Sequence, residues 1–472
     1  MRTRTSILIA LILLFIGSGC SEQNHIQPNI ILIMADDLGW GDTGFNGNEV
    51  IKTPNLDNLA QQGVIFSRFY SAAPVCSPTR ASAITGRHPY RTGIYGANSG
   101  HLRPSEITLA ELLRQSGYRT GHFGKWHLGT LTNTTPDANR GGKGDTTIYS
   151  PPWDNGFDVC FSTESKVPTW NPMITPGPDA GDIGKREPGS HFGTYYWSGE
   201  DMIVNDNLEG DDSRVIMDRV VPFIDECANS STPFFAVIWF HTPHLPTLTG
   251  EAYRKLYSDY SEDIQHFYGA ISAMDEQVGR LAKKLKEIKQ FNNTLLFFTS
   301  DNGPEGKIRE GRTQGSTNGL RGRKRSLYEG GIRVPSFALW PSVINGGANI
   351  NIPLSTSDYL PTVSSIMGIS QTNIVLPLDG EDIMPFINEQ KRERTKSIGF
   401  RSGNQWVLTG STYKLYSRDR GDKYELYNLI SDPNEKNDII NNHPEVAKKM
   451  IRELEQWIES CNKSDRGSDY KQ

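Results

Sequence analysis

The chain has 472 residues, enough for one large and one small domain. Hydrophobic residues make up 36% and aromatics 10%, which excludes a disordered chain and demands a packed core. A formal net charge of −5 excludes the global basic footprint of a nucleic-acid binder, so no nucleic-acid partner is expected and an anionic ligand must be drawn by local cations.

Arg2 and Arg4 precede an apolar run over residues 7–16, followed by Gly17-Ser18-Gly19-Cys20. A charged start, a short apolar segment and small residues predict an export signal over residues 1–20. The run is too short to span a bilayer comfortably. Two readings of Cys20 stand. The end of the signal resembles a bacterial lipobox, whose cysteine would be lipidated and tie the protein to a membrane. Gly17 stands where a strict lipobox has Leu, so an ordinary signal peptide with an incidental cysteine is the other reading. Both place the protein outside the cytoplasm, in the periplasm or as a lipoprotein of the outer membrane or cell surface. Residues 21–27 are polar and suit a tether.

Residues 29–35 form an apolar run ending in Asp36-Asp37, the profile of a strand buried on both faces with function at its carboxyl end. Residues 234–240 before His241 and 294–299 before Asp301-Asn302 repeat it. Residues 108–116 and 271–288 carry apolar side chains at helical spacing. Strands alternating with helices predict an α/β fold, a mostly parallel sheet flanked by helices. Residues 138–215 break the rhythm and predict a loop-rich insertion. Its Trp153, Trp170, Tyr195, Tyr196 and Trp197 lie near Lys185, Arg186 and His191 in sequence. They would either form sugar subsites or pack the insertion down. Beyond residue 393 short strands are predicted at 398–401, 405–408 and 413–416, then an amphipathic helix at 445–460. The predicted plan is a catalytic domain over 28–393 and a C-terminal α+β subdomain over 394–472. Of the five cysteines, Cys160, Cys227 and Cys461 have no assigned chemistry and are expected as buried free thiols.

Cys76-Ser77-Pro78-Thr79-Arg80 resembles the C-x-P-x-R modification signature of type I sulfatases. Residues 117–127, GYRTGHFGKWH, match the family's second signature, G-Y-x-T-x-x-x-G-K-W-H, at every fixed position. Asp36-Asp37, His241-Thr242-Pro243-His244, Asp301-Asn302 and Lys324 follow in the family's order. The resemblance covers nearly the whole mature chain and resembles exported bacterial polysaccharide sulfatases. It implies an alkaline-phosphatase-like α/β sheet with a smaller C-terminal antiparallel sheet and helix.

It also implies a sulfuric ester hydrolase in which Cys76 is oxidised to formylglycine (3-oxoalanine) by a formylglycine-generating enzyme or an anaerobic maturase. One hydroxyl of the hydrated aldehyde attacks sulfur, and the other releases sulfate. Arg80 and Lys125 match residues that brace the modified side chain. His127 matches the acceptor of the proton when sulfate leaves, His244 the donor to the leaving oxygen, and Lys324 a second sulfate-binding lysine. Arg321, Arg323 and Arg325 leave the register of that lysine open by one residue. Asp36, Asp37, Asp301 and Asn302, with residue 76, match a divalent cation site. Hard oxygen donors suit Ca2+ or Mg2+ and not zinc. Taken singly, these acids would be turns or caps and the histidines core residues. His241 is expected at a strand end, as a substrate contact or a support. His122 and Arg87 are expected to be structural, and His101 and Arg103 are weak substrate-contact candidates.

The expected substrate is a sulfated carbohydrate, an algal polysaccharide such as ulvan or carrageenan or its oligosaccharides. The alternatives are a glycosaminoglycan or N-acetylgalactosamine sulfatase, a phosphonate or phosphodiester hydrolase on the same fold, and an inactive glycan-binding lipoprotein.

Overall fold

A computed structural model describes residues 27–140, 144 and 146–470. The export signal, Cys20 and all of the tether but Gln27 lie outside them. The core is a ten-stranded sheet. Its parallel centre runs, in spatial order, Thr294–Ser300, Asn29–Ala35, Phe234–Trp239, Arg119–Lys125 and Val159–Thr163. The fold class read from the sequence is the one observed.

The pleat explains the apolar runs. Successive side chains point to opposite faces, and both faces are covered by helices. Ile30, Leu32 and Met34 therefore enter one core, with Leu109 and Tyr359 from helices on that side. Ile31, Ile33 and Ala35 enter the other, against Ile216 and Met274. Helix Leu109–Gln115 starts at a capping box, in which Thr108 Oγ1 accepts from the Glu111 amide and Glu111 accepts in return. The helix expected at 271–288 begins earlier and spans Glu262–Glu287.

The loop-rich stretch 138–215 also carries regular elements. Val159–Thr163 is a strand of the main sheet, and Asp212 opens the helix Asp212–Asn229. A five-residue strand with Ser162 and Thr163 in it lacks the apolar length that marks its neighbours.

At the C-terminus four antiparallel strands, Ile398–Ser402, Gln405–Thr409, Tyr413–Ser417 and Glu425–Asn428, carry the helix Pro444–Asp465 on one face. Lys414, fully buried, ties this sheet to the rest. Its Nζ lies 3.0 Å from Glu329 and 2.8 Å from Glu435. Cys160, Cys227 and Cys461 are buried and unpaired among the described residues.

Candidate active site

Three parallel strands deliver their carboxyl-end residues to one place. Asp36-Asp37 follow Asn29–Ala35, and Asp301-Asn302 follow Thr294–Ser300. Lys125 closes Arg119–Lys125. The Asp301 amide donates to the Ala35 carbonyl at 3.1 Å, and the Asp37 amide to Asp301 Oδ1 at 3.1 Å, so the acids are locked in register. Asp37 takes φ 67° and His127 φ 59°, left-handed values that non-glycine residues adopt rarely and that cluster at functional sites.

Cys76 occupies the first position of the helix Cys76–Thr85, all ten residues of which are buried. Val75 offers no capping side chain, so the positive end of the helix faces the site. The Cys76 thiol donates to Asp36 Oδ1 at 3.5 Å. Burial and Asp301 push its pKa up, which keeps sulfur protonated and a poor nucleophile as it stands.

The cations converge on the acids. One turn beyond Cys76, Arg80 holds Asp301 Oδ2 from Nε (3.1 Å) and Nη2 (2.6 Å), and donates from Nη1 to the Lys125 carbonyl. Lys125 Nζ lies 2.6 Å from Asp36 Oδ2. Lys324 Nζ lies 2.7 Å from Asp37 Oδ1 and 2.8 Å from its Oδ2. Its neighbours are engaged elsewhere. Arg321 stacks on Tyr328, Arg323 donates to backbone carbonyls, and Arg325 pairs with Glu305. Lys324 is thus the basic residue of that run that reaches the acids.

Burial pushes Asp36 up, but Lys125, His244 and Arg80 hold it well below the usual carboxylate range. Burial and Asp36 lift Asp301 to about 7 against the pull of Arg80.

The two histidines are differently wired. His244 donates from Nδ1 to the Leu245 carbonyl at 2.6 Å, which leaves Nε2 facing Asp37 Oδ2 at 3.6 Å. Burial and Lys324 push it down to about 4. His127 Nε2 donates to Asn98 Oδ1 at 3.1 Å, and its buried Nδ1 has no partner among the described residues. Burial, then Lys125 and Arg140, hold it well below its ordinary value.

Four buried side chains are grouped closely enough to hold a metal ion. Asp36, Asp37, Cys76 and His244 each offer a ligand atom within 4.8 Å of one another. Asn302 donates from Nδ2 to Asp37 Oδ1 at 2.6 Å, while its Oδ1, buried, has no partner among the described residues. Asp301 flanks the group with both oxygens already accepting.

His241 is fully buried, between Asp212 Oδ2 (2.8 Å) and Thr163 Oγ1 (2.8 Å), and supports the strand ends. His122 packs among Trp126, Phe157 and Trp239, and Arg87 pairs with Glu106 and Asp469. Arg103 is held by Asp465 on the C-terminal helix. The aromatics of 138–215 divide. Tyr196 and Trp197 are buried and bond to Asp212 and Asp137, whereas Tyr195 stacks on His191 near the surface.

Motif reading misses one residue, Arg140. It is buried, it donates from Nη2 to Ser77 Oγ (2.7 Å) and the Ala97 carbonyl (2.8 Å), and its Nη1 has no partner among the described residues. It lies in a Gly- and Asp-rich stretch with no periodic or motif signal.

A sulfatase family model matches residues 28–369. The steryl-sulfatase of Rattus norvegicus is 32% identical over 436 residues, covering 80% of this chain and 74% of its own. The N-acetylgalactosamine-6-sulfatase of Sus scrofa is 30% identical over 437 residues, covering 88% and 76%. Among solved structures, that of Ps i-CgsB, also determined in complex with k-i-k-neocarrahexaose, matches with a TM-score of 0.75 at 27% identity, covering 91% of this chain and 92% of that one.

Proposed function

The chain belongs to the sulfatase family and is a sulfuric ester hydrolase, and from that premise we propose that it is an exported enzyme acting on sulfate esters of a carbohydrate, a sulfated polysaccharide or its oligosaccharides. The observation that carries the reading is the convergence of buried Cys76 with Asp36, Asp37, Lys125, Lys324 and the free nitrogens of His127 and His244. The likeness to Ps i-CgsB supports a carbohydrate as the leaving group.

The geometry supports a division of labour. Lys125 and Lys324 present fixed positive charge to the sulfuryl oxygens in a water-poor site, where such charge counts most. His244 Nε2, freed by the bond of Nδ1 to Leu245, is the nitrogen able to hand a proton to the leaving oxygen. A sulfate beside it favours the protonated imidazole, against the burial that otherwise disfavours it. His127 Nδ1 is the nitrogen able to take a proton when sulfate departs. Formylglycine at position 76 would supply a pair of hydroxyls, one to attack sulfur and one to release it. Asp36, Asp37 and Asn302 Oδ1, with Asp301 beside them, would hold Ca2+ or Mg2+, which supplies Lewis-acid polarisation of a sulfate oxygen.

The raised pKa of the unmodified thiol supports a need for conversion, since a protonated sulfur beside two carboxylates is a weak nucleophile. Export, and lipidation at Cys20, rest on the N-terminal sequence pattern.

Peptide mass spectrometry across Cys76 tests the reading, on protein co-produced with a formylglycine-generating enzyme or an anaerobic maturase. The expected result is aldehyde in place of thiol, with turnover of a sulfated oligosaccharide. An unchanged cysteine beside a maturase active on a control sulfatase overturns the mechanism. The identity to steryl-sulfatases favours a second reading, a sulfate on a hydrophobic alcohol, and a parallel steroid-sulfate assay decides between them.

A further inference from the structure

A cavity of about 1030 Å³ opens beside Lys324. Five of its lining residues are cations, Lys307, Arg309, Arg323, Lys324 and Arg325, against one carboxylate, Glu305. The whole chain carries −5, so this is a local reversal of sign.

The five cations are not equivalent. Arg323 is spent on the carbonyls of Gly306 and Gly315, and so ties the 305–315 segment to the strand of chain that bears Lys324. Arg325 and Glu305 neutralise each other at 2.6 and 3.0 Å. Lys324 sits at the inner end, between Asp37 and Glu305 (3.3 Å). Lys307 and Arg309 remain. Lys307 is exposed and makes no ion pair among the described residues. Among the described residues Arg309 hydrogen-bonds only to the Tyr268 hydroxyl, at 2.8 Å, and its charge reaches buried Asp42 without an ion pair. Ile308 between them is 63% exposed, an apolar surface flanked by two cations that make no ion pair among the described residues.

We propose that this cavity is a second anion subsite, which takes a sulfate group elsewhere on the glycan whose first sulfate is cleaved at residue 76. The enzyme's preferred substrates are then carbohydrates sulfated at more than one position. The inference rests on the carbohydrate reading above. Lys324 joins the two sites, because it lies on Asp37 at one end and lines the cavity at the other. The free charges at the mouth suit the compact, permanent charge of a sulfate, and the exposed Ile308 suits the apolar face of a sugar ring.

The test compares matured wild type with Lys307→Ala, Arg309→Ala and the double variant. Three substrates are used: a small aryl sulfate, and a matched oligosaccharide carrying one sulfate or two. Two exposed charge contacts predict a preference of about tenfold in kcat/KM for the disulfated form, residing in KM and shrinking as salt is raised. The double variant should lose that preference and keep the wild-type rate on the aryl sulfate. Equal kcat/KM for the two oligosaccharides in wild type overturns the proposal. So does a preference that survives the double substitution, or an equal loss on all three substrates. Replacing the second sulfate by a carboxylate separates anions in general from sulfate, and an undiminished preference there overturns the assignment to sulfate. If wild type cleaves the aryl sulfate and neither oligosaccharide, the carbohydrate reading falls and takes this inference with it.

Discussion

Arg140 donates from Nη2 to Ser77 Oγ at 2.7 Å, one residue beyond Cys76. The same nitrogen holds the Ala97 carbonyl, and the next residue, Asn98, accepts from His127 Nε2. One guanidinium thus fixes the start of the cysteine helix and, through a two-residue loop segment, the ring of the histidine proposed to accept a proton. Arg140→Ala should lower kcat by about ten- to a hundredfold with little change in KM, as expected for a lost alignment. Arg140 is also among the charges that hold His127 down, so its removal should move the acidic limb of the kcat profile to higher pH. Arg140→Lys should restore the limb more fully than the rate, because one ammonium cannot span both acceptors. A unchanged pH profile in Arg140→Ala would reduce the residue to packing.

Cys76→Ser tests the nucleophile without disturbing the fold. The side chain is buried and of similar size, so the melting temperature should change little. Serine offers one hydroxyl and no carbonyl carbon to hydrate, so turnover should fall by at least about a thousandfold. Multiple turnover at the wild-type rate would end the formylglycine mechanism.

A divalent cation should stabilise the protein whether or not substrate is present. Asp36, Asp37 and Asn302 Oδ1 are gathered in the folded chain alone, so binding acts on the native state. At a free concentration 100 times Kd the gain is about 2.7 kcal/mol. Differential scanning fluorimetry should show a melting temperature that rises with Ca2+ and returns on exhaustive chelation, and Asp37→Asn should blunt the rise. A melting curve indifferent to Ca2+, Mg2+ and chelator would remove the cation from the site.

What could be read from sequence follows from what each part needs. A strand buried on both faces must be apolar throughout, so Asn29–Ala35 was visible, and the acids after it stand out against that run. The signatures around Cys76 and Lys125 are local in sequence, because one helix turn and one strand end carry them. Lys324 needed coordinates, since charge alone could not separate it from Arg321, Arg323 and Arg325. Arg140 was invisible for a different reason. Its partners Ser77 and Ala97 are 63 and 43 residues away, and its own segment has no period. The buried triad Lys414, Glu329 and Glu435 was hidden likewise, because a lysine in an edge-like strand pattern gives no sign that two distant carboxylates will enclose it.

The junction with the C-terminal helix should be acid-labile through His88. This ring is buried, accepts from the Tyr90 amide at Nδ1, packs edge-on against Trp457 of that helix at 4.7 Å, and has no partner for Nε2 among the described residues. Burial pushes its pKa down to about 3; Arg91 and Arg401 add to the shift and Asp379 opposes it. An unfolded histidine titrates near 6.5. Between those values the unfolded chain binds the additional proton, so stability is fully present above about pH 6.5 and is lost as pH falls towards 3, at up to about 1.4 kcal/mol per pH unit. Asp379 acts in a lower window. Although burial opposes it, Arg91 holds that carboxylate below its ordinary range, so its contribution is lost only below about pH 4. His88→Gln should therefore flatten the dependence of unfolding free energy on pH between 6.5 and 4 while costing some stability at neutral pH through lost packing. Parallel slopes for variant and wild type in urea titrations across that range would show that His88 is not the group that titrates.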